Sequence, residues 1–178
     1  MKTVSFQMVA AVLAAATVAG CSTAPTRPGD VPDTLQPPSG EVVTLVLPAT
    51  GVQIYECRAG TGGSPAWVFV APEAELFDDQ GRRVGHHDAG PRWHLADGSV
   101  VIGTVKQRAD APQAGAIPWL LLSARAEGAP GTATSVTHIQ RIHTTGGIAP
   151  ASGCSAEKIG SSTRVAYTAD YYLYAKAP

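Results

Sequence analysis

Beyond residue 40 the chain runs largely in a period of two. Val165, Tyr167, Ala169, Tyr171 and Leu173 alternate with Ala166, Thr168, Asp170, Tyr172 and Tyr174, so the two sets face opposite sides of an extended strand. Glu41–Leu47, Gly51–Cys57 and Ser99–Arg108 are similar β-branched or alternating runs, with Pro48 to Gly51 predicting a turn between the first two. Trp67–Ala71 reads as a short apolar strand. Ala74–Asp78 and Arg82–His87 predict a hairpin turned by Asp79, Gln80 and Gly81. Ala133–Thr144 is another long strand candidate. Ile117–Leu122 is apolar without alternation, the pattern of a strand covered on both faces, and Pro118 is tolerated near the start of such a strand. No stretch keeps a convincing helical period. The expected fold is one all-β domain over residues 41–178, an antiparallel sandwich or barrel.

The first forty residues follow other rules. Lys2 precedes an apolar run, Val9 to Ala19, that is broken only by Thr17 and ends in Val18, Ala19, Gly20 and Cys21. It is short for a membrane span of about 20 residues and has the charged start, apolar middle and small-residue end of an export signal over residues 1–20. Val18 to Cys21 resembles a bacterial lipobox, whose cysteine becomes the lipid-bearing first residue of the mature protein. The alternative is an ordinary cut near Ala24 that discards Cys21. Ser22 after the cysteine resembles lipoproteins sent on to the outer membrane. The expected location is therefore the cell envelope, on the outer membrane facing the periplasm, with the membrane as partner through lipidated Cys21. Residues 21–40 are rich in Pro, Ser and Thr and are expected to form a disordered tether.

Charge and cysteine usage narrow the picture. With 13 basic and 14 acidic residues the net charge is −1, a poor match for phosphate neutralisation, so no nucleic-acid partner is expected. With Cys21 lipidated, Cys57 and Cys154 remain as an even pair, and an oxidising compartment favours a disulfide between them. Two buried free thiols are the alternative.

Chemistry is densest between Gly81 and Ser99, which hold three of the five histidines, Trp93 and two acids. Two residues apart on a strand, His86 should point with Asp88 and His87 the other way. If Gly90 and Pro91 turn the chain, His87, His94 and Asp97 could converge as donors for zinc or another borderline metal. The plain reading is turn chemistry, with histidines solvated or hydrogen-bonded to backbone. The spacing matches no strong ligand motif, so no metal and no cofactor is assigned. Trp93, between Arg92 and His94, is expected to pack in the core, with an exposed ring that stacks on a sugar or another flat ligand as the alternative. Trp67 and Trp119 read as core. Arg141 suits either an ion pair with Asp170 or a ligand. Ser99 lies in an Asp-Gly-Ser hairpin turn rather than a nucleophile elbow, and Glu73 with Glu75 reads as a solvated edge.

Ten motifs occur in an order that resembles a known family. They are Tyr55-Glu-Cys57, Pro72-Glu-Ala-Glu-Leu76, Val84-Gly-His-His87, Gly90-Pro-Arg-Trp93, Asp97-Gly-Ser99, Ile117-Pro-Trp-Leu-Leu-Leu122, Ile139-Gln-Arg141, Thr145-Gly-Gly147, Gly153-Cys154 and Tyr167-Thr-Ala-Asp-Tyr171. The chain is similar over residues 41–178 to the exported proteins grouped as domain of unknown function 3455. The resemblance implies one histidine before the Gly-Pro-x-Trp, matched by His87, with His86 and Asp88 as departures. A malate dehydrogenase label carried by some relatives finds no support. Gly60 and Gly62 begin a G-x-G pattern, but Pro65 stands where the third glycine is needed and no helix follows. The leading expectation is a non-catalytic envelope lipoprotein whose β domain binds a small molecule, glycan or protein partner. Its ligand-binding candidates are His87, Trp93, His94, Asp97 and Arg141. The alternative is a hydrolase-type enzyme using His87, His94 and Asp97, with or without a metal.

Overall fold

The computed structural model describes residues 25–178. The export signal, Cys21 and the first part of the tether lie outside the described residues. Eight antiparallel strands close into one barrel in chain order. They are β1 (Glu41–Ala59), β2 (Pro65–Phe77), β3 (Arg83–Asp88), β4 (Arg92–Leu95), β5 (Ser99–Ala109), β6 (Trp119–Gly128), β7 (His138–Gly146) and β8 (Ser162–Lys176). The all-β expectation holds, and the sheet is closed rather than split into a sandwich. Closure removes both sheet edges, with Gly51 of β1 lying beside Ala74 of β2 and Tyr167 of β8.

The period of two sorts side chains between inside and outside. On β8, Tyr167, Ala169, Tyr171 and Leu173 join the inner core with Leu47, Trp93, Val101 and Ile139. The segment between β6 and β7 folds into one end, where Ala133 and Val136 are buried in that core. It is a plug rather than the early part of a strand, so β7 starts at His138 instead of Ala133.

One predicted turn is absent. β1 runs unbroken through Pro48 to Gly51. Pro48 precedes the first β2 pair, Ala49 with Leu76, so on that side the strand is still an edge, where proline is tolerated. Gly51 serves close approach instead of a turn, because a Cβ there would stand 2.1 Å from the Glu73 carbonyl oxygen and 2.4 Å from the Ala74 Cα. Trp67–Ala71 and Ala74–Asp78, expected as separate strands, are joined through Pro72 into the one strand β2.

The tether expectation also needs correction over its later half. Residues Asp33–Leu35 form a 3-10 turn, and Val31 and Leu35 are buried against Trp119, Leu121 and Ile142 on the outside of β6 and β7. Gln140 donates from Nε2 to the Leu35 carbonyl at 2.6 Å. Burial of Leu35 alone contributes roughly 2 kcal/mol. A proline has no N–H to donate to a ladder, but that does not prevent a Pro-rich segment from covering one. This cover explains the unbroken apolar run of β6, whose Leu120 and Leu122 face inward while Trp119 and Leu121 meet the N-terminal segment.

Candidate ligand cavity

Alternation along the β3–β4 hairpin decides which side chains enter the barrel. His87 pairs across the strands with Trp93, and the two rings stack with centroids 4.3 Å apart. Tyr171 of β8 meets them edge-on at 5.1 and 5.3 Å. His86, Asp88, Arg92 and His94 hold the opposite parity. Trp93 is therefore 1% exposed, packed as expected, and the alternative of an exposed ring falls because its polar neighbours alternate to the outside.

His87 is 3% exposed, and its Nδ1–H donates to the Arg92 carbonyl at 2.7 Å. Burial pushes its pKa down to about 4, against the opposing pull of that hydrogen bond. The ring is neutral at pH 7, and Nε2 is left as an acceptor.

These aromatics help to line a cavity of about 580 Å³ that opens at the end bearing the β3–β4 turn. Gln53, Tyr55, Pro72, Leu120 and Arg141 contribute to its walls. Phe69, Val70 and Val105 line it too and are exposed, giving an apolar rim. Two donors here lack acceptors, and a cation lacks a counter-ion. Gln53 is 3% exposed, and neither its Nε2 nor the Nε1 of Trp93 has a hydrogen-bond partner. Arg141 spends Nε and one Nη on the Pro118 carbonyl, at 3.3 and 2.8 Å, and pairs with no carboxylate among the described residues. The pair with Asp170 is not formed. Arg141 lies opposite Tyr171 on the inner row, whereas Asp170 faces outward and accepts from His143 at 2.8 Å. Unmatched buried donors cost about 1–3 kcal/mol each, so a ligand that supplies acceptors recovers that cost.

Asp97 lies in the turn after β4, at the opposite end from the β3–β4 turn. One carboxylate oxygen accepts from the Ser99 amide and hydroxyl at 2.9 and 2.6 Å, and the other from the Thr132 amide and hydroxyl at 2.7 and 2.6 Å. These bonds hold its carboxyl well below the usual carboxylate range. Asp97 thus fastens the plug, and buried Ser99 is part of the same clamp. His94 is on the outer wall, its Nε2 3.3 Å from Asp88 Oδ1. The convergence of His87, His94 and Asp97 into one metal or hydrolytic site does not occur: they lie inside, outside and at the far end. Glu73 and Glu75 point outward and pair with Arg164 and Arg83, but β2 is flanked by β1 and β3 and is not the expected solvated edge.

Cys57 and Cys154 are joined by a disulfide with Cα atoms 5.4 Å apart, tying the end of β1 to the loop that precedes β8. Beside it, Trp67 Nε1 donates to the Ser152 carbonyl at 2.9 Å.

Residues 38–175, almost the whole barrel, match the family described as protein of unknown function (DUF3455). The chain belongs to that family. No curated protein and no solved structure matches it. In this DUF3455 barrel the glycines at 60, 62 and 63 lead through a 3-10 turn into β2, so the strand-turn-helix frame of a dinucleotide site is not there.

Of the five sequence candidates, His87, Trp93 and Arg141 meet at the cavity, while His94 and Asp97 do not. Sequence reasoning missed Gln53, Tyr55 and Tyr171. A signal for Gln53 existed: it shares its parity with Leu47, Ala49 and Tyr55, a polar residue on an otherwise inward row. The expected turn at Pro48 to Gly51 cut that row in two and hid it.

Proposed function

We propose that this protein is an exported, lipid-anchored barrel that binds a small amphipathic molecule, with its apolar body among Trp93, Tyr171 and Leu120 and its acidic group on Arg141. The observation that carries the reading is an apolar cavity in which two buried neutral donors have no acceptor and the Arg141 cation has no carboxylate. Eight-stranded barrels are wide enough to hold one small ligand, and the volume lies within the roughly 300–1,000 Å³ of ordinary ligand pockets. A recessed cavity that opens at one end behind an apolar rim favours a small molecule over a glycan or protein partner. Lipidation at Cys21 would keep the barrel beside a bilayer, where amphipathic acids are found. A hydrolase built on His87, His94 and Asp97 has no shared site in its favour.

The reading is tested by titrating the chain with anilinonaphthalene sulfonate, an aromatic acid that fluoresces in apolar surroundings. One saturable site per chain with quenching of tryptophan emission is expected. Absence of saturable binding contradicts the reading.

A further inference from the structure

The outer wall of the same hairpin carries a second constellation. His86 and His94 are direct cross-strand partners, and their rings lie parallel with centroids 4.4 Å apart. Asp88, two residues beyond His86, brings Oδ1 to 3.3 Å from His94 Nε2 and Oδ2 to 3.9 Å from His86 Nε2. One donor atom from each residue lies within 4.8 Å of the other two. Three points so spaced all lie within about 2.8 Å of a common centre. Each donor then moves less than ~1 Å to reach zinc bond lengths of about 2.0–2.2 Å.

The surrounding charges leave this set free for an ion. Arg83 and Arg92 flank it, yet Arg83 pairs with Glu75 and Arg92 with Glu127. Arg92 lies directly across from Asp88 in the ladder. Even so, the carboxylate of Asp88 has ion-pair partners only in the two histidines among the described residues. The ladder fixes all three Cα positions, so little backbone ordering remains to be lost on binding.

We infer that His86, Asp88 and His94 form a surface site for a borderline divalent transition-metal ion. Two imidazoles and one carboxylate suit zinc, copper(II) or nickel(II), and are poor ligands for magnesium or calcium, which take oxygen donors. Three protein donors leave at least one coordination position for water or an incoming ligand. The site faces away from the barrel interior and is independent of the cavity reading.

The test is calorimetric titration of the untagged full chain with zinc chloride, repeated with cobalt(II) to read visible absorption. One ion per chain is expected, with magnesium in excess unable to displace it. His86→Ala and His94→Ala are each expected to weaken binding about tenfold or more and to abolish the cobalt band. Asp88→Asn should shift that band. All three side chains reach solvent, so circular dichroism should show each variant folded as the parent. No saturable zinc binding, displacement by magnesium, or equal affinity in the folded histidine variants would overturn the site.

Discussion

At the end of the barrel filled by residues 129–137, Asp97 accepts four hydrogen bonds and every partner is part of the chain. At the other end, Gln53 and Trp93 hold donors with no acceptor, and Arg141 has no carboxylate. The two ends share one scaffold and differ in whether the chain completes its own polar groups. Completed groups hold structure together; incomplete ones, inside an apolar cavity, wait for a ligand. The open end is braced covalently instead, by Cys57 and Cys154 at its margin.

That contrast can be broken first at the disulfide. Closing a loop of 97 residues stabilises by about 4–5 kcal/mol in the chain-entropy model. Cys57→Ser is expected to be less stable than the parent by roughly that much in denaturant unfolding under oxidising conditions, and no less stable than the parent when both are reduced. An equal loss in both media would contradict the brace.

The next largest effect is the titration of His87. Its folded pKa, about 4, lies below the ordinary 6.5, so between these values the unfolded chain binds the proton and the folded chain does not. Stability is full above pH 6.5 and falls as pH drops towards 4, by roughly 3 kcal/mol. Unfolding measured across that range with chelator present should show the slope, and His87→Gln should lack this part of it.

The smallest effect is expected at the closed end. Asp97→Ala should destabilise less than either change above, speed hydrogen exchange at the Thr132 and Ala133 amides, and leave anilinonaphthalene sulfonate binding unchanged. Loss of dye binding in that variant would mean the two ends are not independent.

The barrel was legible because β8 and the β3 hairpin alternate cleanly, and because β6 is apolar on both faces. The site was half legible. Parity along His86, His87 and Asp88 correctly separated the two faces, yet the same rule was not extended to Trp93, whose polar neighbours kept an exposed ring open as the alternative to packing. Asp97 was drawn into the site by closeness in sequence, although one short strand, β4, carries the chain from one end of the barrel to the other. The plug and the N-terminal cover were hidden for another reason: both depend on contacts far apart in the chain, such as Leu35 with Gln140.

The central claim is that Arg141 waits for an acid. Its most direct test compares the affinities of anilinonaphthalene sulfonate and uncharged phenylnaphthylamine in the parent chain and in Arg141→Gln. The account predicts that the parent prefers the sulfonate by about tenfold or more, a difference of at least ~1.4 kcal/mol. The variant should lose that preference while keeping its affinity for the neutral dye. Equal binding of the two dyes by the parent, or an unchanged preference in the variant, would contradict it.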